Sequence, residues 1–322
     1  MNSRVLKFGG SSMVNIPGIK QIIKSPRPTV AVVSAFYGVT DQLVNTMNLA
    51  QTGQNKLMKE KIEEIKSFHI TKSYQECDSS LKRPIDKIFK DVEKSFEEIL
   101  DLQTIPNKIS DQILSIGEKL SATILASSDV TYKYIDDVII TNDNYSNASP
   151  IMNATHHICN LKINDVFNNK KIAIIPGFTA RTLEGNITTM GRGGSDLSAT
   201  IIGSSINAKD IYFYKVELSD GKWEKGLIGI VHPNKETVPE LTFNEMAEMA
   251  IYGRKVLHKS TMHPIINNDY VSVHIKNTLE PAEAGTIIKK SLSRTKRASP
   301  WVTSMIESDK IYLIGEYIVD KI

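Results

Sequence analysis

The segment Thr29–Ala35, Thr-Val-Ala-Val-Val-Ser-Ala, constrains the fold more than any other part of the chain. Its residues are β-branched or apolar at nearly every position, so both faces of the strand that it forms must be buried. A strand of this kind belongs inside a parallel sheet that helices cover on both sides. Further strand patterns occur at Val5–Phe8, Asp137–Thr141, Lys171–Pro176, Asp210–Tyr214 and Val271–Ile275.

Helical patterns alternate with these strands. They occupy Thr40–Thr52, at least two helices within Lys56–Leu102 with a break near Asp78–Pro84, then Ser110–Ser127, Gly194–Ser205 and Thr242–Tyr252. The last of them opens with a capping box, because Glu245 follows Thr242 by three residues. The alternation predicts an α/β fold in which a mostly parallel sheet lies between two helical layers.

Composition excludes several classes of protein. The chain has 322 residues, enough for two domains or for one large domain with an added lobe. A net charge of +3 argues against nucleic acid as the main partner. Cys77 and Cys159 have no metal-like spacing, and no run approaches the roughly 20 apolar residues that span a bilayer. We therefore expect a globular cytoplasmic protein that contacts neither membrane nor nucleic acid.

A glycine-rich turn follows the first strand, in Lys7-Phe8-Gly9-Gly10-Ser11. Glycine lets backbone N–H groups approach an anion closely, and a lysine at the end of the strand can reach the terminal phosphate of a nucleotide. The spacing is not that of a Walker A motif. A plain turn with a surface lysine is an equally good interpretation of this segment taken alone.

A second glycine-rich turn surrounds Arg192, in Gly191-Arg192-Gly193-Gly194-Ser195-Asp196. The guanidinium offers a planar fork for a carboxylate, and Asp196 could orient a lysine or hold Mg²⁺ through water. The alternative is a tight turn with a surface ion pair, although so many glycines are costly in a plain loop. Two anion-handling turns in one chain indicate two anionic substrates, a nucleotide and a carboxylate.

Four other residues carry weaker indications. Glu118 could receive an ammonium group, although a solvent-facing glutamate is the commoner explanation of its position off the apolar stripe of its helix. Ser34 ends the second strand, where ligands bind in open α/β sheets, although a hydroxyl bonded to nearby backbone is an equally good interpretation. Lys255 could neutralise charge on a phosphoryl group or could be a surface lysine, and His258 is more often structural than catalytic.

Six segments occur in an order that resembles the aspartokinases and together cover roughly residues 4–288. They are Lys7-Phe8-Gly9-Gly10-Ser11-Ser12, Val32-Val33-Ser34-Ala35 with Gly38-Val39-Thr40-Asp41, Gly117-Glu118-Lys119-Leu120-Ser121, Gly177-Phe178 with Thr188–Asp196, Leu241-Thr242-Phe243 through Gly253–His258, and Asn277-Thr278 with Gly285-Thr286. The Thr188–Asp196 segment is the most specific of them.

The resemblance implies the amino acid kinase fold, an α/β/α sandwich with two lobes. It implies transfer of the γ-phosphate of ATP, with Mg²⁺, to the side-chain carboxylate of L-aspartate. The nucleotide would be held by Lys7, Gly9, Gly10, Ser11, Tyr214, Lys215 and Asp220, and aspartate by Ser34, Thr40, Glu118, Arg192, Gly193, Gly194 and Ser195. Asp196 would organise the lysines, and Lys7, Asp196 and Lys255 would form the catalytic set, with no metal held by the protein itself.

The resemblance also divides the chain. An amino-acid lobe is expected in residues 1–205, a nucleotide lobe in 206–290, and a basic linker with one remnant strand in 291–322. His232-Pro233-Asn234 stands where the family has Asp-Pro-Arg, and the acidic residues of Tyr214–Gly221 are shifted from their positions in the family's motif. Both departures fall in the segments that hold the nucleotide in the family, so they affect the expected nucleotide contacts.

Family members usually continue into paired ACT domains, so we expect inhibition by lysine and threonine to be missing. A homo-oligomer is possible. Two other functions stay open on the sequence alone, namely a kinase of the same fold that acts on another amino acid or carboxylate, and a non-catalytic ligand-binding homologue.

Overall fold

The computed structural model of the chain describes residues 2–77, 79–219, 222–224, 238–251, 257–291, 303–307 and 310–314. Eight of the strands in these ranges form one sheet in the order β10-β12-β11-β7-β1-β2-β4-β3. Their bounds are β1 Arg4–Phe8, β2 Thr29–Val33, β3 Tyr132–Tyr134, β4 Ile172–Pro176, β7 Asp210–Lys215, β10 Glu240–Thr242, β11 Ser272–Asn277 and β12 Thr286–Lys289. Three separate hairpins pair β5 Thr179–Arg181 with β6 Ile187–Thr189, β8 Glu217–Ser219 with β9 Lys222–Glu224, and β13 Thr303–Glu307 with β14 Lys310–Ile314.

Strand β1 lies in the middle of the sheet, between β2 and β7. Lys7 pairs in register with Val32 on one side and Phe213 on the other, and both pairings are parallel. Within the eight-stranded sheet, β11 and β12 form the one antiparallel pair among the described strands. The carboxyl ends of β2, β1 and β7 therefore meet at one edge, where Lys7 stands one residue before the end of its strand.

Helices cover both faces of the sheet. Their bounds are α1 Ile16–Ile23, α2 Val39–Gln51, α3 Asn55–Glu76, α4 Lys82–Leu102, α5 Asn107–Ser127, α6 Met152–Asn168, α7 Gly194–Ser205 and α8 Phe243–Ile251. Alternate residues of β1 enter two different cores, Val5 among residues of α6, α7 and α8, and Leu6 among residues of α1 to α5. The predicted three-layer α/β/α sandwich with a mostly parallel sheet is confirmed. None of the helices among the described residues combines the length and the apolar character that a membrane span needs.

The predicted helices agree closely with the structure. The long segment Lys56–Leu102 forms α3 and α4 with a break between Glu76 and Lys82, as expected. The capping box at α8 is formed, because the backbone N–H of Thr242 donates to Glu245 at 2.9 Å and the N–H of Glu245 donates to the Thr242 hydroxyl at 3.1 Å.

The strand predicted at Asp137–Thr141 is wrong. The structure has only isolated bridges there, from Ile140 to Arg181 and from Thr141 to Pro150, and the strand beside β4 is instead β3. The hydroxyl of Thr155 on α6 accepts from the N–H of Ile140 at 3.0 Å and donates to its carbonyl at 3.1 Å. A helix side chain thus satisfies backbone groups that a neighbouring strand would otherwise pair.

Candidate active site

A pocket of about 290 Å³ opens at the carboxyl edge of the sheet. It is lined by Lys7, Ser34, Thr40, Glu118, Phe178, Gly191, Gly193, Gly194, Ser195 and Asp196. All of these except Phe178 and Gly191 are site residues predicted from the sequence. Lys7 and the glycine-rich turn around Arg192, which lie far apart in the chain, therefore meet in one shared cleft.

Two charged residues of this pocket, Lys7 and Asp196, form a cluster with the half-buried Lys215. The Nζ of Lys7 lies 2.5 Å from Oδ1 of Asp196, and the Nζ of Lys215 lies 3.4 Å from Oδ2 of the same carboxylate. Burial would raise the pKa of Asp196, but the attraction of Lys215 and Lys7 outweighs it and holds the pKa below its usual range. Burial lowers the pKa of Lys215, with Lys7 adding to the effect, more than Asp196 raises it. Two ammonium groups thus share one carboxylate, which leaves an excess of positive charge for an anion.

The turn after β1 is fixed by backbone hydrogen bonds. The carbonyl of Gly9 accepts from the N–H groups of Ser12 and Met13 at 2.9 and 3.1 Å, and the N–H of Gly9 donates to the carbonyl of Tyr214 at 3.3 Å. A Cβ on Gly10 would lie 2.9 Å from the carbonyl oxygen of Ala35, so only glycine fits at this position. These contacts hold the end of β1 against both of its neighbouring strands.

Ser11 belongs to the same turn, and its hydroxyl donates to the carbonyl of Val216 at 3.2 Å. Gly9, Gly10 and Ser11 do not line the 290 Å³ pocket; they lie beside it, on the side of β7. A nucleotide bound along this turn would place its phosphates next to Lys7, because the turn begins directly after β1.

The second turn leads into α7. Gly191 and Gly193 have φ angles of 66° and 73°, in the left-handed region that favours glycine. A Cβ on Gly193 would lie 2.5 Å from the Cβ of His258, so this close approach also requires glycine. Helix α7 then begins at Gly194, and Gly194, Ser195 and Asp196 of its first turn line the pocket, where the amino end of the helix favours an anion.

Arg192 lies between these glycines but does not line the pocket, and its side chain is exposed to solvent. Because both flanking glycines do line the pocket, the turn carries the guanidinium at its rim. The structure therefore places Arg192 near the cleft without seating it in the cleft.

Glu118 is buried on α5 instead of facing solvent, so the surface alternative is wrong. Its helix packs closely on the end of β2, since a Cβ on Gly117 would lie 2.8 Å from the Cβ of Ala35. Burial raises the pKa of Glu118 to about 8, although a backbone hydrogen bond at Ala35 and the charge of Lys7 lower it in part. Its Oε2 has no hydrogen-bond partner among the described residues. A cation in the pocket would supply that partner.

Asp111 supports the site and was not singled out from the sequence. It is fully buried on α5, where Oδ2 accepts from the N–H groups of Ser146 and Thr189, each at 2.9 Å, and Oδ1 accepts from the Thr189 hydroxyl at 2.7 Å. Thr189 ends β6, two residues before Gly191, so Asp111 anchors the turn that carries Arg192. Its position seven residues before Glu118, on the same helix face, is the signal that could have identified it.

Phe178 also lines the pocket and has a φ angle of 65°, which is unusual for a bulky residue. Its N–H donates to the Ser198 hydroxyl at 2.9 Å, and that hydroxyl donates to the carbonyl of Gly194 at 2.8 Å. A Cβ on Gly194 would lie 2.7 Å from the ring of Phe178. The strained residue is thus held against the start of α7.

The residues expected beyond residue 205 to bind ATP or to act in catalysis are only partly described. The ring of Tyr214 is buried and stacks on Phe8, with ring centroids 5.2 Å apart, and burial raises the pKa of its hydroxyl to about 12. Asp220 and Lys255 lie outside the described residues. Among the side chains that the structure describes, no three His, Cys, Asp or Glu residues are grouped so as to hold a metal ion.

Comparison with known proteins gives one consistent family. The profile described as "Amino acid kinase family" matches residues 2–277. An aspartokinase of Chlamydia trachomatis is 30% identical over 331 residues, which cover 97% of this chain and 70% of that protein. Aspartokinase 1, chloroplastic, of Arabidopsis thaliana is 30% identical over 314 residues, which cover 91% of this chain and 53% of that protein. The chain thus spans between about half and 70% of the length of these relatives.

Solved structures show the same fold. Escherichia coli aspartokinase III in complex with aspartate and ADP superposes with a TM-score of 0.77 at 24% identity, covering 90% of this chain and 65% of that one. Carbamate kinase from Giardia lamblia, bound to AMP-PNP, gives a TM-score of 0.51 at 9% identity and covers 90% of this chain and 99% of that one. With the profile match and the curated relatives, these findings place the chain in the amino acid kinase family, and within it among the aspartokinases.

Proposed function

We propose that this chain is an aspartate kinase, which transfers the γ-phosphate of ATP to the side-chain carboxylate of L-aspartate to give 4-phospho-L-aspartate. The observation that carries the proposal is the shared cleft, in which Glu118, Lys7 and Asp196 line one 290 Å³ pocket and Lys215 pairs with Asp196. The comparisons support the proposal, because the curated relatives are aspartokinases and one similar solved structure is a complex with aspartate and ADP.

The pocket suits an amino diacid. The unpartnered Oε2 of Glu118 would accept the α-ammonium group, and Ser34 and Thr40 would hydrogen-bond the rest of the substrate. Arg192, on its turn at the rim, would bind a carboxylate through its planar fork. Aspartate would then lie with one carboxylate towards the lysines, where the phosphoryl group arrives.

The lysine cluster suits the transfer step. A carboxylate is already ionised and nucleophilic at neutral pH, so the reaction needs no general base. The work left to the protein is to position the two substrates and to stabilise charge on the phosphoryl group in transfer. Lys7 and Lys215 would supply that positive charge, and Asp196 keeps both ammonium groups in place.

Mg²⁺ is expected with ATP, but the described residues offer no cage for it. Both oxygens of Asp196 are engaged by lysines, and the described residues contain no group of three His, Cys, Asp or Glu side chains that could hold a metal ion. We therefore assign no step to a metal held by the described side chains.

The proposal includes the two expected lobes, one that binds the amino acid and one that binds the nucleotide. Every residue that lines the pocket lies in 1–205, the expected amino-acid lobe, while Lys215 comes from 206–290, the expected nucleotide lobe. β1 pairs with strands from both ranges, so Lys7 stands where the two would meet.

A hydroxamate assay tests the proposal. The chain is incubated with ATP, Mg²⁺, hydroxylamine and a panel of amino acids and small carboxylic acids, and the acyl phosphate is trapped as a coloured hydroxamate. We expect product with L-aspartate. Product with another acid instead would identify a kinase of different specificity, and binding without turnover would identify a ligand-binding homologue. The same assay with added lysine or threonine tests the prediction that neither inhibits.

A further inference from the structure

A second cavity, of about 840 Å³, lies at the opposite edge of the sheet. Its lining includes residues at the starts of β3 and β4, the segment just before β2 and residues near the ends of α1 and α6. Five-residue strands rise about 3.3 Å per residue, so this cavity lies roughly 16 Å from the candidate active site along the sheet. The proposed kinase function leaves it without a role.

Positive charge dominates the cavity. It is lined by five basic side chains, Lys20, Lys24, Arg27, Lys170 and Lys171, and by one carboxylate, Asp129. The carboxyl ends of α1, α5 and α6 lie close by, and each contributes about half a negative elementary charge. Five positive charges against roughly 2.5 negative ones leave about 2.5 positive charges, or about 1.5 once Asp210, the partner of Arg27, is counted.

Not all of these cations are engaged. Lys20 donates to the carbonyl of Ser128 at 2.7 Å, and Arg27 pairs with Asp210 at 2.6 Å. Lys24, Lys170 and Lys171 are exposed and form no hydrogen bond or ion pair through their ammonium groups with the described residues. A lysine after a helix end commonly offsets the helix dipole, but three exposed lysines that line one cavity exceed what that requires.

The floor of the cavity is apolar. Tyr132 is buried, Phe167 and Ile172 are half-buried, and Pro26 and Pro28 complete the lining between the basic side chains. The volume lies within the range of about 300–1,000 Å³ that is usual for small-molecule sites. We propose that this cavity binds a phosphorylated small molecule that carries a flat ring, with the ring on the apolar floor and the phosphate among Lys24, Lys170 and Lys171.

Pyridoxal 5′-phosphate tests this as a probe, because it joins a phosphate and an aromatic ring to an aldehyde. The aldehyde condenses with a lysine amine with loss of water, and borohydride reduces the imine to a stable amine that mass spectrometry locates. We expect labelling of Lys24, Lys170 or Lys171 at least tenfold above that of the exposed Lys56 and Lys59 on α3, and protection by pyrophosphate. Equal labelling at all these lysines, or no protection, would overturn the proposal.

A binding measurement with charge-reversed variants completes the test. Calorimetry with pyridoxine 5′-phosphate, which lacks the aldehyde, should give at least a tenfold higher Kd for Lys170→Glu/Lys171→Glu than for the unaltered chain. The control, Lys56→Glu/Lys59→Glu, has the same net charge and should leave Kd unchanged; equal loss in both variants would overturn the assignment. Neither readout uses kinase activity, so the proposed function can fail while this inference holds.

Discussion

The ammonium group of Lys7 lies 2.5 Å from the nearer carboxylate oxygen of Asp196, and both residues are buried. Lys215 lies 3.4 Å from the other oxygen, so the charge of one carboxylate offsets the repulsion between two neighbouring ammonium groups. Little solvent screens the two ammonium groups in this site, so removal of the Asp196 charge should cost a large free energy.

Asp196→Asn should therefore abolish most of the activity. The amide has the shape of the carboxylate but cannot balance Lys7 and Lys215, and misplaced charge at a phosphoryl-transfer site costs about 10²–10³ in turnover. The hydroxamate assay at saturating substrates measures the loss. Asp101→Asn, an exposed position on α4, is the control and should behave as the unaltered chain. Normal turnover in Asp196→Asn would remove Asp196 from the mechanism.

The position of Lys7 at the carboxyl edge of the sheet could be predicted from the sequence, because Lys7 lies near the end of a buried strand pattern. The approach of the Gly191–Asp196 turn could not, because that turn follows β6, which pairs antiparallel with β5 outside the eight-stranded sheet. The burial of Glu118 could not be predicted from helical periodicity, because it depends on how closely α5 packs on β2. Gly117 permits that approach, and periodicity does not report it.

The misplaced strand at Asp137–Thr141 has a similar origin. Val138 and Ile139 are buried with Cys159 and Ile163 of α6, so their apolar pattern reflects packing against a helix. The position beside β4 is taken by β3, a three-residue strand whose pattern is too short to stand out. Apolar alternation reports burial, and only tertiary contacts decide which neighbour provides it.

Arg192→Ala should mainly weaken the use of aspartate. A hydrogen bond to a charged group is worth about 1.5–3 kcal/mol, so KM for aspartate should rise roughly 10- to 100-fold with a smaller change in kcat. Arg83→Ala, which removes another exposed arginine, is the control. An unchanged KM would show that the guanidinium stays at the rim and does not bind the substrate.

Gly193→Ala should destabilise the chain more than Gly53→Ala. Both glycines have φ angles of 73°, so alanine carries the same left-handed penalty of about 1–2 kcal/mol at either position. A Cβ at residue 53 meets nothing within 4 Å, whereas one at residue 193 meets the Cβ of His258 at 2.5 Å. Urea unfolding should show an additional cost of about 1–3 kcal/mol for Gly193→Ala.

A second substitution tests whether the contact with His258 causes that additional cost. Adding His258→Gly to Gly193→Ala removes the opposing Cβ, whereas His258→Ala would retain it. Gly193→Ala should therefore lower the free energy of unfolding less in the His258→Gly background than in the unaltered chain. Equal costs for Gly193→Ala and Gly53→Ala would mean that the turn relaxes away from His258.

Asp111→Ala should cost far more stability than Asp111→Asn. Alanine leaves the N–H groups of Ser146 and Thr189 without their acceptor, at about 1–3 kcal/mol for each unsatisfied group. Asparagine can keep its carbonyl oxygen on both N–H groups and donate its amide to the Thr189 hydroxyl, so we expect a loss below about 1 kcal/mol. Similar unfolding free energies for the two variants would show that Asp111 does not anchor the turn.

Glu118 should make stability depend on pH. Its pKa in the folded chain is about 8, against an ordinary value of 4.5, so between these values the folded state holds a proton that the unfolded state has released. The folded state then binds more protons, and the free energy of unfolding falls as pH rises, by at most about 1.4 kcal/mol per pH unit. The contribution is complete below the unfolded pKa and is lost as pH rises through 8.

Glu118→Gln removes this titration while keeping the shape of the side chain. The unfolding free energy of the variant minus that of the unaltered chain should therefore grow from about pH 5 to pH 8 and level off above it. A difference that stays constant across this range would mean that the carboxylate is already ionised in the folded chain. L-aspartate should flatten the slope, because its ammonium group would stabilise the ionised carboxylate and lower the pKa of Glu118.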